Sequence, residues 1–229
     1  MSKQVVIVGA GHGAGQLVAS LRQKKYAGQI VLIGEEPWLP YQRPPLSKKF
    51  LAGELAAERL YVKPETFYSD PAITVRLNAR VESFDPDNRR ITLSDGESLA
   101  YSDLVLATGS RVRKLSIPGS DLNGIHYLRN IEDVNAIRRG LENTRRLVVV
   151  GAGYIGLEVA AVARQMGHAV TVLEMAERVM SRVVSEPVSA FYAGLHAASG
   201  VNLRLGTGLA AFVGEAGAVT GVETADGDL

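Results

Sequence analysis

The 229 residues carry 25 Lys and Arg against 24 Asp and Glu, a net charge of +1, so no global field recruits nucleic acid or an anionic membrane. Hydrophobic residues make up 46% and charged residues 21%, the balance of a chain that builds a core, long enough for one large domain or two modest ones. Cysteine is absent, which removes disulfides, thiolate-held iron–sulfur clusters and Cys-x-x-Cys redox pairs from these residues, and no metal site is expected.

In chain order, an apolar strand is expected at 4–9, leaving no room for a signal peptide ahead of it. A helix over 12–25 and a second buried strand, QIVLIG at 29–34, complete a βαβ unit of about thirty residues. The proline-rich stretch EEPWLPYQRPPLSK (35–48) is too irregular for helix or strand, and a loop of that length is usually functional. PETFYSD (64–70) reads as a short helix opening on proline. From residue 80 the pattern alternates, with turn signals at Asp85-Pro86-Asp87-Asn88 and Asp95-Gly96. This predicts a β-meander at about 80–101, then a buried strand at Leu104–Ala107 returning to the parallel sheet.

IPGSDLNG (117–124) reads as a linker, followed by a helix over 131–142 and a buried strand at 146–150. The apolar run 147–163 contains Glu158 and three glycines, so it is strand, turn and helix face rather than a membrane span, and the cytoplasm is the expected location. A second βαβ unit runs to Glu174. A helix at 187–199, a strand at 201–205 and a hairpin at about 209–224 follow. The turn signal Asp226-Gly227 has nothing after it to pair, so the sequence is expected to be part of a longer protein.

The two glycine turns carry the chemistry. A lone G-x-G-x-x-G is weak evidence; here each copy follows a strand, opens a helix and is followed by an acid about twenty residues on. In the first, Gly9 and Gly11 allow the tight turn and close approach to a pyrophosphate, Ala14 takes the third position, and Glu35 can accept both hydroxyls of a ribose. In the second, Gly151, Gly153 and Gly156 fit the pattern fully, and Glu174 is the acid. Phosphates would sit at each helix N-terminus. Two such sites on one chain suggest hydride transfer between FAD and a nicotinamide cofactor.

VVIVGAGHGAG, PYQRPPLSK (40–48), LVLATGS (104–110), YLRNIEDV (127–134) and VVVGAGYIGLEVAA, in that order, resemble the flavoprotein ferredoxin reductases that serve bacterial oxygenases. The resemblance spans essentially the whole chain. It implies an α/β fold with two Rossmann-like dinucleotide-binding domains of the pyridine nucleotide-disulfide reductase architecture and a small β-meander insertion. Residues 1–110 would be the first segment of the FAD-binding domain and 111–229 an incomplete NAD-binding domain. The returning FAD segment and an interface domain would be missing, so FAD is expected to be held poorly.

The same resemblance implies FAD contacts from Gly13, Glu35, Arg43, Lys48, Val81, Thr108, Gly109 and Arg129. On the NAD side it implies Gly151, Gly153, Tyr154, Ile155, Gly156, Glu158 and Glu174. Glu158, within the first helical turn after the glycines, is read as a buried carboxylate that needs a cation, with Lys48 the best candidate, and a helix-dipole carboxylate facing water is the other reading. Tyr154 resembles an aromatic that covers the flavin until nicotinamide displaces it, and a plain packing residue at a helix start is the other reading. His12 is assigned no role. NADH would reduce FAD, and single electrons would pass to a ferredoxin or rubredoxin. An NADH oxidase of related fold, or a flavin-bearing signalling protein similar to apoptosis-inducing factor, remain the alternatives.

Overall fold

The computed structural model describes residues 3–225 and 227–228. The chain divides into two compact units. One contains the chain through Arg43 together with Ala56–Arg111; the other contains Pro44–Leu55 together with the chain from Val112 onward.

The first unit opens with strand β1 (Gln4–Val8), helix α1 (His12–Gln23) and strand β2 (Gln29–Ile33). Strand β3 (Ile73–Arg76) was not legible in the sequence pattern: four residues, with only Ile73 buried, leave too short a trace. The antiparallel meander is β4 (Val81–Asp85), β5 (Arg90–Leu93) and β6 (Ser98–Ala100). Strand β7 (Asp103–Leu106) then returns to pair with β1, giving a parallel sheet in the order β3-β2-β1-β7.

Alternation along β1 and β2 builds two half-cores. Val5, Ile7, Ile30 and Leu32 face Ala14 and Val18 of α1, while Val6, Val8, Val31 and Ile33 face Ile91, Leu93 and Tyr101 from the meander region. The predicted buried strand at 104–107 proves half-exposed, with Leu106 56% accessible, because β7 is the edge of its sheet. The segment at 64–70 forms one 3-10 turn, Glu65–Ser69, rather than an α-helix.

In the second unit, helix α2 (Ile131–Glu142) buries Ile131, Val134, Ile137 and Leu141 on one face. Strand β8 (Arg146–Val150), helix α3 (Tyr154–Gln165) and strand β9 (Ala169–Leu173) form the second βαβ unit. Helix α4 (Glu186–Ala198) and strand β10 (Asn202–Arg204) extend it to a parallel sheet in the order β10-β9-β8. Its core joins Leu157, Ala160 and Ala163 of α3 to Val170 and Val172 of β9 and to Val179, Met180 and Val201. β8 was expected to be buried, yet Val150 is 46% accessible, because β8 has a strand partner on one side only among the described residues.

Strands β11 (Leu209–Glu215) and β12 (Ala218–Thr224) form the expected hairpin, and β13 (Gly227–Asp228) pairs back onto β12. The expectation that nothing after the last turn pairs is therefore corrected; Asp226 itself lies outside the described residues. The supposed linker at 117–124 is also structural. Phe212 N–H donates to the Pro118 carbonyl at 2.9 Å and Asn123 N–H to the Gly217 carbonyl at 3.0 Å, which fastens this stretch to the hairpin.

The segment Pro44–Leu55, whose first five residues are the end of the proline-rich loop, packs within the second unit. Pro44–Ser47 form a 3-10 turn, and Leu46, Ser47, Phe50 and Leu51 are buried. The loop expected to lack helix thus carries one short turn, whose i to i+3 bonds suit a proline start.

Candidate dinucleotide sites

In both units the chain leaves a parallel strand through a glycine with positive φ, 108° at Gly9 and 103° at Gly151, which L side chains rarely adopt. At Gly9 a Cβ would also lie 2.2 Å from the Ala107 carbonyl oxygen, so the first turn is closed by the segment leading to Thr108 and Gly109. At the second turn the tight contact falls on Gly156, where a Cβ would lie 2.0 Å from the Gly151 carbonyl oxygen. Gly11, Gly13 and Gly153 face open space: nothing lies within 4 Å of a Cβ built there.

Neither α1 at Gly11 nor α3 at Gly153 has a side-chain cap. α2, in contrast, carries a full capping box in which Asn130 accepts from Asp133 N–H at 2.8 Å and Asp133 accepts from Asn130 N–H at 3.0 Å. The uncapped helices leave first-turn N–H groups and the positive end of the dipole for an anion. Positive-φ glycines, open space above the backbone and uncapped helix starts fit a pyrophosphate at each turn.

The two acids are held differently. Glu174 accepts from Ala152 N–H at 2.7 Å through one oxygen and from Ala176 N–H at 2.9 Å through the other. Its carboxylate is thereby fixed against the backbone of the glycine turn, with a second lone pair on each oxygen still able to accept a hydroxyl. Glu35 is 61% exposed in its side chain and meets Arg80 at 3.0 Å; Arg80 also meets Glu82 at 2.9 Å. Arg80 was missed in the sequence, where the alternating period of the meander hid it as one more solvated charge.

Glu158 is the fifth residue of α3, within a turn of Gly156 as expected, but is half-buried rather than buried, with 29% of its side chain accessible. It does find Lys48, whose Nζ lies 2.7 Å from Oε1. Ser47, also missed in the sequence, donates from Oγ to Oε2 of the same carboxylate at 2.5 Å. Tyr154 and Ile155 are the first two residues of α3 and are 54% and 53% accessible, so neither is a packing residue among the described ones.

The remaining candidates are dispersed. Arg43 is engaged by Glu36 at 2.9 Å and by the Tyr41 hydroxyl at 3.2 Å, and its guanidinium stacks 5.1 Å from the Tyr41 ring centre. Val81 opens β4 and packs on the core behind β1. Arg129 precedes the α2 capping box and its backbone N–H donates to Asp133 at 2.7 Å. His12 is exposed at the start of α1.

Gly15, also missed, has the Pro40 side chain 2.5 Å from where its Cβ would stand, so it seats the proline-rich loop on α1. A cavity of about 1290 Å³ in the second unit starts at Gly151, Gly153, Tyr154 and Ile155 and runs along β8 to β12. A hollow of about 550 Å³ in the first unit is lined by Tyr61, Tyr68 and Val75, and none of the glycine-turn residues borders it. Burial pushes the Tyr68 phenol there up to about 12. Among the described residues no group of three His, Cys, Asp or Glu is placed to hold a metal, and no helix is long and apolar enough to cross a membrane.

Two uncapped helices, each entered through a positive-φ glycine and each followed by a carboxylate, define a protein with two dinucleotide folds in tandem. The chain belongs to the pyridine nucleotide-disulphide oxidoreductase family, whose model matches residues 3–229. Proteins of that family contain FAD and use NAD(P)H. Within it, the chain is 46% identical to a ferredoxin–NAD(P)(+) reductase of Sphingomonas sp. over 224 residues, 98% of this chain and 54% of that protein. Among solved structures it matches a ferredoxin reductase for the CYP199A2 system from Rhodopseudomonas palustris with a TM-score of 0.94 and 41% identity, covering 98% of this chain and 55% of that one. It matches the reductase of a covalent putidaredoxin reductase–putidaredoxin complex equally well, with a TM-score of 0.94 and 42% identity over 99% of this chain and 56% of that one. The chain thus spans about half the length of the relatives it matches.

Proposed function

We propose that the first unit binds FAD, the second binds NADH, and the protein relays electrons from NADH to a small iron–sulfur protein of the ferredoxin type, serving an oxygenase in the cytoplasm. Rubredoxin is an alternative acceptor. The reading is carried by one observation: both glycine turns open uncapped helices onto free space, and each is followed by a carboxylate. Bound FAD supplies hydride acceptance and release of single electrons, chemistry that no side chain of the protein offers.

The chain's own residues bind and orient. Gly9, Gly11 and Gly13 admit the FAD pyrophosphate, Glu35 takes its ribose, and Val81 lies at the adenine. Thr108 and Gly109 complete the FAD set of the first unit together with Arg43 of the proline-rich loop, and Arg129, which the resemblance adds to that set, lies in the second unit. Gly151, Gly153, Ile155 and Gly156 admit the NADH pyrophosphate, and Glu174 reads its ribose hydroxyls. Lys48 and Glu158 are the charged pair that acts on the reacting rings, and the exposed Tyr154 shields the flavin until nicotinamide arrives. No general acid or base is needed, because a hydride step asks for alignment and fixed charge.

The test is anaerobic mixing of the FAD-loaded protein with NADH, followed by a ferredoxin from the same genome neighbourhood. Loss of flavin absorbance on NADH, then its return with one-electron reduction of the ferredoxin, is the expected result. Reduction by NADH with transfer to dioxygen but never to a ferredoxin would assign the protein to the oxidases instead.

A further inference from the structure

Resting on the reading above, we propose that Ser47 is a positioning residue for the hydride step, acting through the Lys48–Glu158 pair. Adjacent residues hold the two oxygens of one carboxylate: Ser47 Oγ at 2.5 Å from Oε2 and Lys48 Nζ at 2.7 Å from Oε1. They are unequal partners. The Lys48 side chain is 47% exposed on a flexible four-carbon stem, and an ion pair of that kind constrains little in water. Ser47 is 3% exposed and is the last residue of the 3-10 turn, preceded by the buried Leu46 and followed in the chain by the buried Phe50. Its hydroxyl therefore comes from a rigid backbone and has no water to turn to.

The last torsion of a glutamate side chain is broad, so a single contact leaves the carboxylate free to swing. The Ser47 bond removes that freedom and keeps Oε1 facing Lys48, which also donates to the Pro44 carbonyl at 3.1 Å. The ammonium is then fixed in place and neutralised by a fixed partner. Released from Ser47, Glu158 would swing toward solvent and leave the Lys48 charge both mobile and uncompensated.

Two readouts test this. In the chain without cofactors, the rate of Lys48 acetylation by an activated ester is followed by mass spectrometry, with the exposed Lys114 as internal reference. Ser47→Ala is expected to raise the Lys48 rate roughly threefold or more against Lys114, as a charge-assisted hydrogen bond is lost. Ser47→Thr, which keeps the hydroxyl, should restore it, and Ser47→Cys, nearly the same volume with a weak donor, should behave like Ala. In the FAD-loaded protein, Ser47→Ala should slow flavin reduction by NADH roughly tenfold at unchanged NADH affinity and move the flavin midpoint potential upward. An unchanged Lys48 rate in Ala and Cys variants, or faster acetylation with unchanged flavin reduction, would overturn the proposal. Lys48→Met separates its failure from that of the reading beneath it. If Lys48→Met slows reduction and Ser47→Ala does not, only the role of Ser47 falls; if neither does, the charged pair itself has no part in the step.

Discussion

At the first glycine turn the third fingerprint position is Ala14, and the close approach falls on Gly9 beneath the Ala107 carbonyl. At the second, Gly151 has nothing near its missing Cβ and the close approach falls on Gly156 beneath the Gly151 carbonyl. The first turn is therefore locked from outside, by the strand end that follows the meander, and the second is locked from within, by its own helix. The acids differ in the same sense. Glu174 is tied into its turn through Ala152 and Ala176, whereas Glu35 stands in solvent beside Arg80. The strands differ too: among the described residues β1 is paired on both sides and β8 on one. The same fingerprint is thus compatible with two ways of holding a phosphate cradle, and a substitution at equivalent positions should have unequal consequences.

The widest gap is expected between Gly156→Ala and Gly13→Ala. A Cβ at 156 meets backbone that cannot yield without moving the helix start. Overpacking of this kind costs about 1–3 kcal/mol and should lower Tm by several degrees. Displacing the cradle by even about 1 Å should weaken productive NADH use roughly a hundredfold. At 13 the protein offers open space, so Ala should leave Tm unchanged or raise it slightly, and should cost FAD affinity alone. Calorimetry and ligand titration of both variants measure the gap; equal Tm losses would erase the distinction between the turns.

Cofactor choice tests the held acid. A 2′-phosphate brought to the fixed Glu174 carboxylate would meet repulsion of roughly 2–3 kcal/mol, or on the order of a hundredfold preference for NADH. Arg178, the nearest cation by sequence, is tied to the Ser181 and Val184 carbonyls at 2.8 and 3.0 Å, so it is not poised to rescue NADPH. Glu174→Ala should narrow the preference by losing NADH. It should also destabilise the second unit by about 1–3 kcal/mol, since Ala152 and Ala176 lose their acceptor. Glu35→Ala, removing an exposed pair, should cost less than about 1 kcal/mol. Steady-state assays with both nucleotides, together with urea melts, separate these outcomes.

Smaller effects follow from charge and protonation. If the pair acts on the reacting rings and not on the nucleotide, as proposed above, Lys48→Met should slow flavin reduction roughly tenfold in single-turnover mixing while NADH binding stays within about twofold. Smaller again is the pH dependence of the second unit. Burial pulls His196 on α4 below its ordinary 6.5, so the unfolded chain binds the proton more readily than the fold. Stability should therefore be full above pH 6.5 and decline as pH falls through that range. In the first unit, Asp70 is held below the usual 3.8 by the Ala72 N–H first and then by Arg22, so that contribution is lost only near and below that value. Amide exchange at pH 5 and pH 7 should show faster opening of α4 at the lower value and an unchanged β1–β2 pair.

Both βαβ units, the meander, α2 and the β11–β12 hairpin were legible because period and turn chemistry agree over many residues. β3 was not, since four residues at a sheet edge carry too little pattern. The exposure of β7 and β8 was misread for a related reason: an apolar run tells that a strand joins a parallel sheet but not whether it ends it. At the site, the Lys48–Glu158 contact was anticipated from the resemblance, which implied a place for both at the cofactors, together with the need of a carboxylate for a cation, although the two lie far apart in sequence. Ser47 left no signal, because a serine in a proline-rich loop reads as ordinary turn chemistry until its burial is known. Arg80 was hidden among the solvated charges of the meander.

The most direct test of two separate dinucleotide sites is a backbone amide NMR titration of the isotopically labelled chain, with FAD and NADH added in turn. FAD should shift the amides of Gly11, His12 and Gly13 and leave Gly151, Ala152 and Gly153 in place, and NADH should do the reverse. Both ligands shifting the same turn, or NADH moving the first turn and not the second, would contradict the account.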